Sequence, residues 1–145
     1  MKEKRIIIHL GLPKTGTTFL QDLYFSTLED VLYIGRPYTQ INQAFNKLQY
    51  ADSSLFQVNE LVDEIEKIKQ SSQHHTILIS DELFSGHALY NYANRGFIAE
   101  RLSQAIPNAE IIIFLRNQLD FVLSLYNQYV KIGWINYELR EGFIH

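Results

Sequence analysis

Apolar residues in this chain fall into short continuous runs separated by stretches with helical spacing. Arg5 to Leu10 is isoleucine-rich, and β-branched residues favour strands. Gly11 to Gly16 follows as a loop, and Thr17 to Leu28 has helical spacing with Phe19, Leu20, Leu23 and Tyr24 on one face. Val31 to Ile34 predicts a second short strand, ended by Gly35 and Pro37, and Gln40 to Tyr50 a helix. Asn59 to Gln70 places Leu61, Val62, Ile65 and Ile68 in one apolar stripe among charges, the mark of an amphipathic helix. Thr76 to Ile79 predicts a buried strand, and Asn94 to Ala105 a helix with Pro107 as its stop. Ile111 to Leu115 is the clearest strand, and Asn117 to Ile132 a long helix ending near Gly133.

Strands thus alternate with helices, and continuous apolar strands are expected to be buried on both faces. The pattern predicts an α/β fold of three layers, a mainly parallel sheet flanked by helices. No internal repeat or linker divides the chain, so residues 1–145 read as one domain. The tail Trp134 to His145 has aromatic and helix-forming residues without a stop signal, and it is expected to begin another element, leaving the domain incomplete at its C-terminus.

The densest chemistry lies in Gly11-Leu12-Pro13-Lys14-Thr15-Gly16-Thr17-Thr18, between a strand and a helix. A tight turn into a helix gathers unpaired backbone N–H groups around one point, and the helix dipole adds partial positive charge there. Gly11 and Gly16 allow close approach and unusual backbone angles. Lys14 supplies a full charge, and Thr15, Thr17 and Thr18 supply hydroxyls, so the segment reads as an oxyanion cradle. It is not the pattern G-x-x-x-x-G-K-[ST], because its lysine precedes the second glycine by two residues. That offset points away from ordinary ATP or GTP hydrolysis.

A second basic residue, Arg116, follows the strand Ile111 to Leu115, at the strand end where ligands bind in open α/β sheets. Its planar fork suits phosphate. Ser124 lies eight residues further on, inside the next helix.

The segment Gly11 to Thr18 resembles the 5′-phosphosulfate loop of sulfotransferases that use 3′-phosphoadenosine 5′-phosphosulfate (PAPS), and Arg116 with Ser124 resembles that family's 3′-phosphate pair. The family often has Arg-Asp-Pro where this chain has Arg116-Asn117-Gln118. The resemblance covers about residues 5 to 131 and implies a P-loop NTPase-like variant of the α/β fold. It further implies that Gly11, Pro13, Lys14, Thr15, Gly16, Thr17, Thr18, Arg116 and Ser124 bind PAPS. Lys14 would touch the bridging and sulfonate oxygens and stabilise charge on the leaving phosphate, with adenosine 3′,5′-bisphosphate as product and no metal. The implied activity is sulfuryl transfer to a hydroxyl or amine of a carbohydrate or small molecule. The alternatives are a P-loop nucleotide or small-molecule kinase and a non-catalytic nucleotide-binding module.

Such transfer needs a group to take the acceptor proton, and a carboxylate or histidine suits the task. Ser80-Asp81-Glu82 follows the strand Thr76 to Ile79, at the same predicted sheet edge as the loop. Glu82 is the first candidate, Asp81 the second and His87 the third, with Ser80 or Asp81 also placed to cap a short helix near Leu83. His9 is expected in the core or behind the site, and His74 and His75 in a solvated loop. Tyr90, Tyr92, Tyr126, Tyr129 and Trp134 are candidates for an acceptor surface.

Bulk composition narrows the partners. A net charge of -3 argues against a broad nucleic-acid or membrane surface, which is usually basic. With no cysteine, thiolate catalysis and cysteine-ligated metals are excluded. The run Ile6-Ile7-Ile8 is too short for a signal peptide's apolar region, and the expected location is the cytoplasm.

Overall fold

The computed structural model describes residues 3–35, 42–50, 52, 54–87 and 92–133. Four parallel strands, β1 (Arg5–Leu10), β2 (Val31–Ile34), β3 (Thr76–Asp81) and β4 (Glu110–Ile113), form one sheet in the order β2-β3-β1-β4. Helices α1 (Thr17–Phe19), α2 (Asn42–Tyr50), α3 (Val58–Ser71), α4 (Arg95–Ala105) and α5 (Gln118–Lys131) separate or follow the strands. This is the α/β architecture expected from the alternating pattern. The carboxyl ends of β1, β3 and β4 lie side by side, because Leu10 is in register with both Asp81 and Ile113. None of the helices among the described residues is long and apolar enough to cross a membrane.

Strand alternation divides the core. Ile6 and Ile8 of β1 stand in register with Ile77 and Ile79 of β3, and all four are buried with Phe45, Leu48, Leu61, Ile65, Ile98 and Leu102 of α2, α3 and α4. Burial of each such side chain contributes about 1.5–3 kcal/mol. Arg101 of α4 is drawn into this layer, its guanidinium over the rings of Phe56 and Phe97 and its Nη1 donating to the Leu48 carbonyl at 2.9 Å. The stem and planar head of arginine make that burial possible, and the hydrogen bond satisfies a carbonyl of the last turn of α2.

The opposite face of the sheet carries an irregular helix. After α1 the backbone widens into a π turn over Leu20–Tyr24 and then tightens into a 3₁₀ turn over Phe25–Thr27. The buried residues here are Thr17, Gln21 and Phe25, spaced by four. In a regular α-helix that stripe would drift by about 40° every four residues, and the wider turn reduces the drift. The apolar face Phe19, Leu23 and Tyr24 expected from the spacing is turned to solvent, with Phe19 61% and Leu23 63% exposed. The reason is a polar contact. Gln21, only 2% exposed, donates through Nε2 to Ser80 Oγ at 2.9 Å, and Ser80 Oγ lies 2.7 Å from His9 Nδ1. His9 is fully buried with Phe25 and Phe114 edge-on to its ring, as expected of a core histidine, and burial pushes its pKa down.

One expectation fails at the sheet edge. β4 was expected to be buried on both faces, yet Glu110, Ile111, Ile112 and Ile113 are all exposed, and α5 has no buried residue. β4 is the last strand in the sheet order and pairs only with β1 among the described residues. Its attachment is reinforced by the bidentate pair of Arg5 with Glu110.

Candidate functional site

The loop after β1 is folded tightly on itself. Gly11 N–H continues the sheet by donating to the Asp81 carbonyl at 3.2 Å, and Ser85 Oγ donates to the Gly11 carbonyl at 3.1 Å. A Cβ on Gly11 would lie 2.6 Å from Thr17 Cγ2 and 3.1 Å from Glu82 Cα, so only glycine lets the loop press against the turn after β3. Thr15 Oγ1 and Thr17 Oγ1 both donate to the Leu12 carbonyl, at 2.7 and 3.1 Å. These two hydroxyls, expected to face an anion, are spent within the loop and hold its shape. Gly16 is left-handed at φ 83°, and so is Lys14 at φ 64°, which is uncommon for a residue with a side chain. Arg116 Nη1 donates to the Lys14 carbonyl at 2.9 Å and joins the end of β4 to this loop.

The turn after β3 is organised by Asp81. Its carboxylate is buried, accepts from Leu83 N–H at 2.9 Å as the cap of the 3₁₀ turn Glu82–Ser85, and accepts from Gln49 Nε2. With both oxygens engaged, Asp81, the second candidate for the base, caps this turn. Asn117 caps α5 in the same way, accepting from Leu119 N–H at 3.0 Å. Asparagine and aspartate are nearly equal as caps, so the departure from Arg-Asp-Pro leaves the helix start intact.

A cleft of about 510 Å³ opens between these strand ends. Pro13, Lys14, Gly16, Thr17 and Thr18 line it from the loop, Glu82 and His87 from the segment after β3, and Arg116, Ser124, Gln128 and Tyr129 from the end of β4 and α5. The structure thus brings together eight of the sequence-derived site residues: Pro13, Lys14, Gly16, Thr17, Thr18, Glu82, Arg116 and Ser124. Gly11 stands behind the loop, and Thr15 lines a separate cavity. Of the aromatic candidates, Tyr129 lines the cleft and Tyr92 the separate cavity, while Tyr90 and Trp134 lie outside the described residues.

Sequence reasoning missed the layer behind the cleft. Gln21, Ser80 and His9 fix the helix after the loop against β1 and β3, and Gln21 gives no signal in an apolar pattern. The four-residue step from Thr17 to Gln21 was the available sign. No protein-family model matches the chain, and no curated protein is similar enough to it to count as a relative.

Proposed function

We propose that this chain binds PAPS in the cleft at the ends of β1, β3 and β4 and transfers its sulfuryl group to a hydroxyl or amine acceptor. The observation that carries the reading is one cleft lined by a loop lysine, an arginine–serine pair and a carboxylate, each from a different strand end. The finer likeness of the sheet to P-loop folds belongs to the same reading.

On this reading Lys14 and the loop N–H groups take the phosphosulfate, and Arg116 and Ser124 take the 3′-phosphate. The acceptor oxygen or nitrogen attacks sulfur, the bond from sulfur to the bridging phosphate oxygen breaks, and Glu82 receives the acceptor proton. Lys14 stabilises the charge left on the phosphate. The effect of such a preorganised cation grows as water is excluded from the cleft. Titration calorimetry tests the reading directly. Adenosine 3′,5′-bisphosphate is expected to bind, and ATP with magnesium to bind more weakly. Preference for ATP with magnesium would favour a kinase instead.

A further inference from the structure

A second cavity, of about 270 Å³, shares Arg116 with the cleft but is otherwise separate from it. Its apolar walls are Leu12, Leu115 and Phe121, and it is also lined by Tyr92, in the turn before α4, and Arg95, at the start of α4. The frame that holds Tyr92 and Arg95 is specific. Tyr92 N–H donates to the His87 carbonyl at 3.1 Å, Arg95 N–H donates to the Tyr92 carbonyl at 3.1 Å, and His87 N–H donates to Asn94 Oδ1 at 2.8 Å. Gly86, left-handed at φ 98°, packs beneath, where a Cβ would lie 3.1 Å from Arg95 Cβ and 3.3 Å from Tyr92 Cα.

Three features mark the residues around this cavity. Tyr92 sits at φ 57°, a conformation that is a genuine outlier for a bulky residue and that clusters at functional sites. Among the described residues its hydroxyl is buried without a hydrogen-bond partner, and the electrostatic neighbour it has is Tyr129, which lines the main cleft. Burial, and secondarily the nearby Tyr129, push its pKa up and keep it protonated as a donor. Among the described residues, neither Arg95 nor Arg116 forms an ion pair with a carboxylate. Leu12, Leu115 and Phe121 thus share a cavity with two arginines that, among the described residues, pair with no carboxylate.

We infer that this cavity binds a small apolar anion, an aromatic carboxylate of one or two rings, with its ring among Leu12, Leu115 and Phe121 and its charge toward Arg95 and Arg116. The cavity lies just below the usual range for drug-sized ligands, roughly 300–1,000 Å³, which suits a ligand of that size. The inference shares Arg116 with the proposed PAPS site, while Arg95 and the apolar walls lie outside that site, so the two readings can fail separately.

The test uses the whole chain, isotope-labelled for amide NMR, titrated with 2-naphthoate and with the neutral 2-naphthamide. Naphthoate is expected to shift the amides of Tyr92, Arg95, Leu115 and Phe121 and to bind about tenfold more tightly than naphthamide, the contribution of one charge-assisted contact. Arg95→Gln should remove that preference, and Phe121→Ala should weaken both ligands. The amide spectrum itself reports whether each variant is folded. Equal affinity for the two ligands, a preference that survives Arg95→Gln, or no saturable shift would overturn the inference. So would shifts concentrated at Gly16 to Thr18, in the cleft, or at Ile111 to Ile113, on the sheet edge.

Discussion

The guanidinium of Arg116 holds the backbone carbonyl of Lys14, so the two cations of the cleft are tied to each other through the main chain. This contact fixes the loop carbonyl while leaving other guanidinium nitrogens for a ligand. Arg116→Ala is expected to erase the preference for adenosine 3′,5′-bisphosphate over AMP, a loss of roughly 1.5–3 kcal/mol for a charge-assisted contact. It should also speed amide exchange at Lys14 to Thr17. Calorimetry with both nucleotides checks the first effect, and equal loss for the two would remove the 3′-phosphate assignment.

Lys14 combines the one formal positive charge of its loop with a left-handed backbone. Lys14→Gly and Lys14→Ala should lose sulfuryl transfer alike, because both delete the ammonium. They should differ in stability. Glycine relieves a left-handed cost of roughly 1–2 kcal/mol that alanine retains, so the glycine variant is expected to be the more stable by about 1 kcal/mol. Urea unfolding of the two variants measures the difference.

The adjacent carboxylates Asp81 and Glu82, at the end of β3 and the start of the turn after it, are expected to separate by task. Asp81→Ala strands the donors of Leu83 and Gln49 and should cost about 2 kcal/mol of stability. Glu82→Gln keeps the shape of a cleft side chain but cannot accept a proton. It should lower the transfer rate and preserve affinity for adenosine 3′,5′-bisphosphate. A normal rate in Glu82→Gln would pass the role of base to His87, which lines the same cleft.

His9 makes stability depend on pH. Its folded pKa is lowered by burial from 6.5, so between that value and the lower folded value the unfolded chain binds more protons. Stability from this group is complete above about 6.5 and is lost as the pH falls through that window, at up to about 1.4 kcal/mol per pH unit. Its neighbours Ser80, Gln21, Phe25 and Phe114 carry no charge to offset the effect. Urea midpoints between pH 7 and 5 should fall less steeply in His9→Asn than in the native chain.

The strands, the loop and the edge shared by three strand ends were legible because each depends on local letters: β-branched runs, Gly11 and Gly16, and charges in the segments that follow β1, β3 and β4. Burial was less legible. Ile111 to Ile113 has the composition of an interior strand, but exposure depends on sheet order, which periodicity does not encode. The face of the helix after the loop was misjudged because Gln21 is buried by a partner 59 residues away while the apolar Phe19 and Leu23 are not. The hydroxyls of Thr15 and Thr17 were assigned outward for the same reason: composition supplies donors, but only the backbone path shows that the Leu12 carbonyl takes them.

The π turn at Leu20–Tyr24 also has a meaning in chain length. A π turn closes with i→i+5 bonds where an α-helix closes with i→i+4, so this stretch holds about one residue more than its height requires. That surplus makes the segment tolerant of a deletion that would disturb a regular helix. Removing Leu23, whose side chain faces water, would let the backbone relax to regular α geometry, in which three residues turn the chain nearly as far as four do in the wider turn. Phe25 would then stay against the ring of His9 while Gln21 kept its place, whereas one residue removed from the regular helix α3 would rotate everything downstream by about 100°.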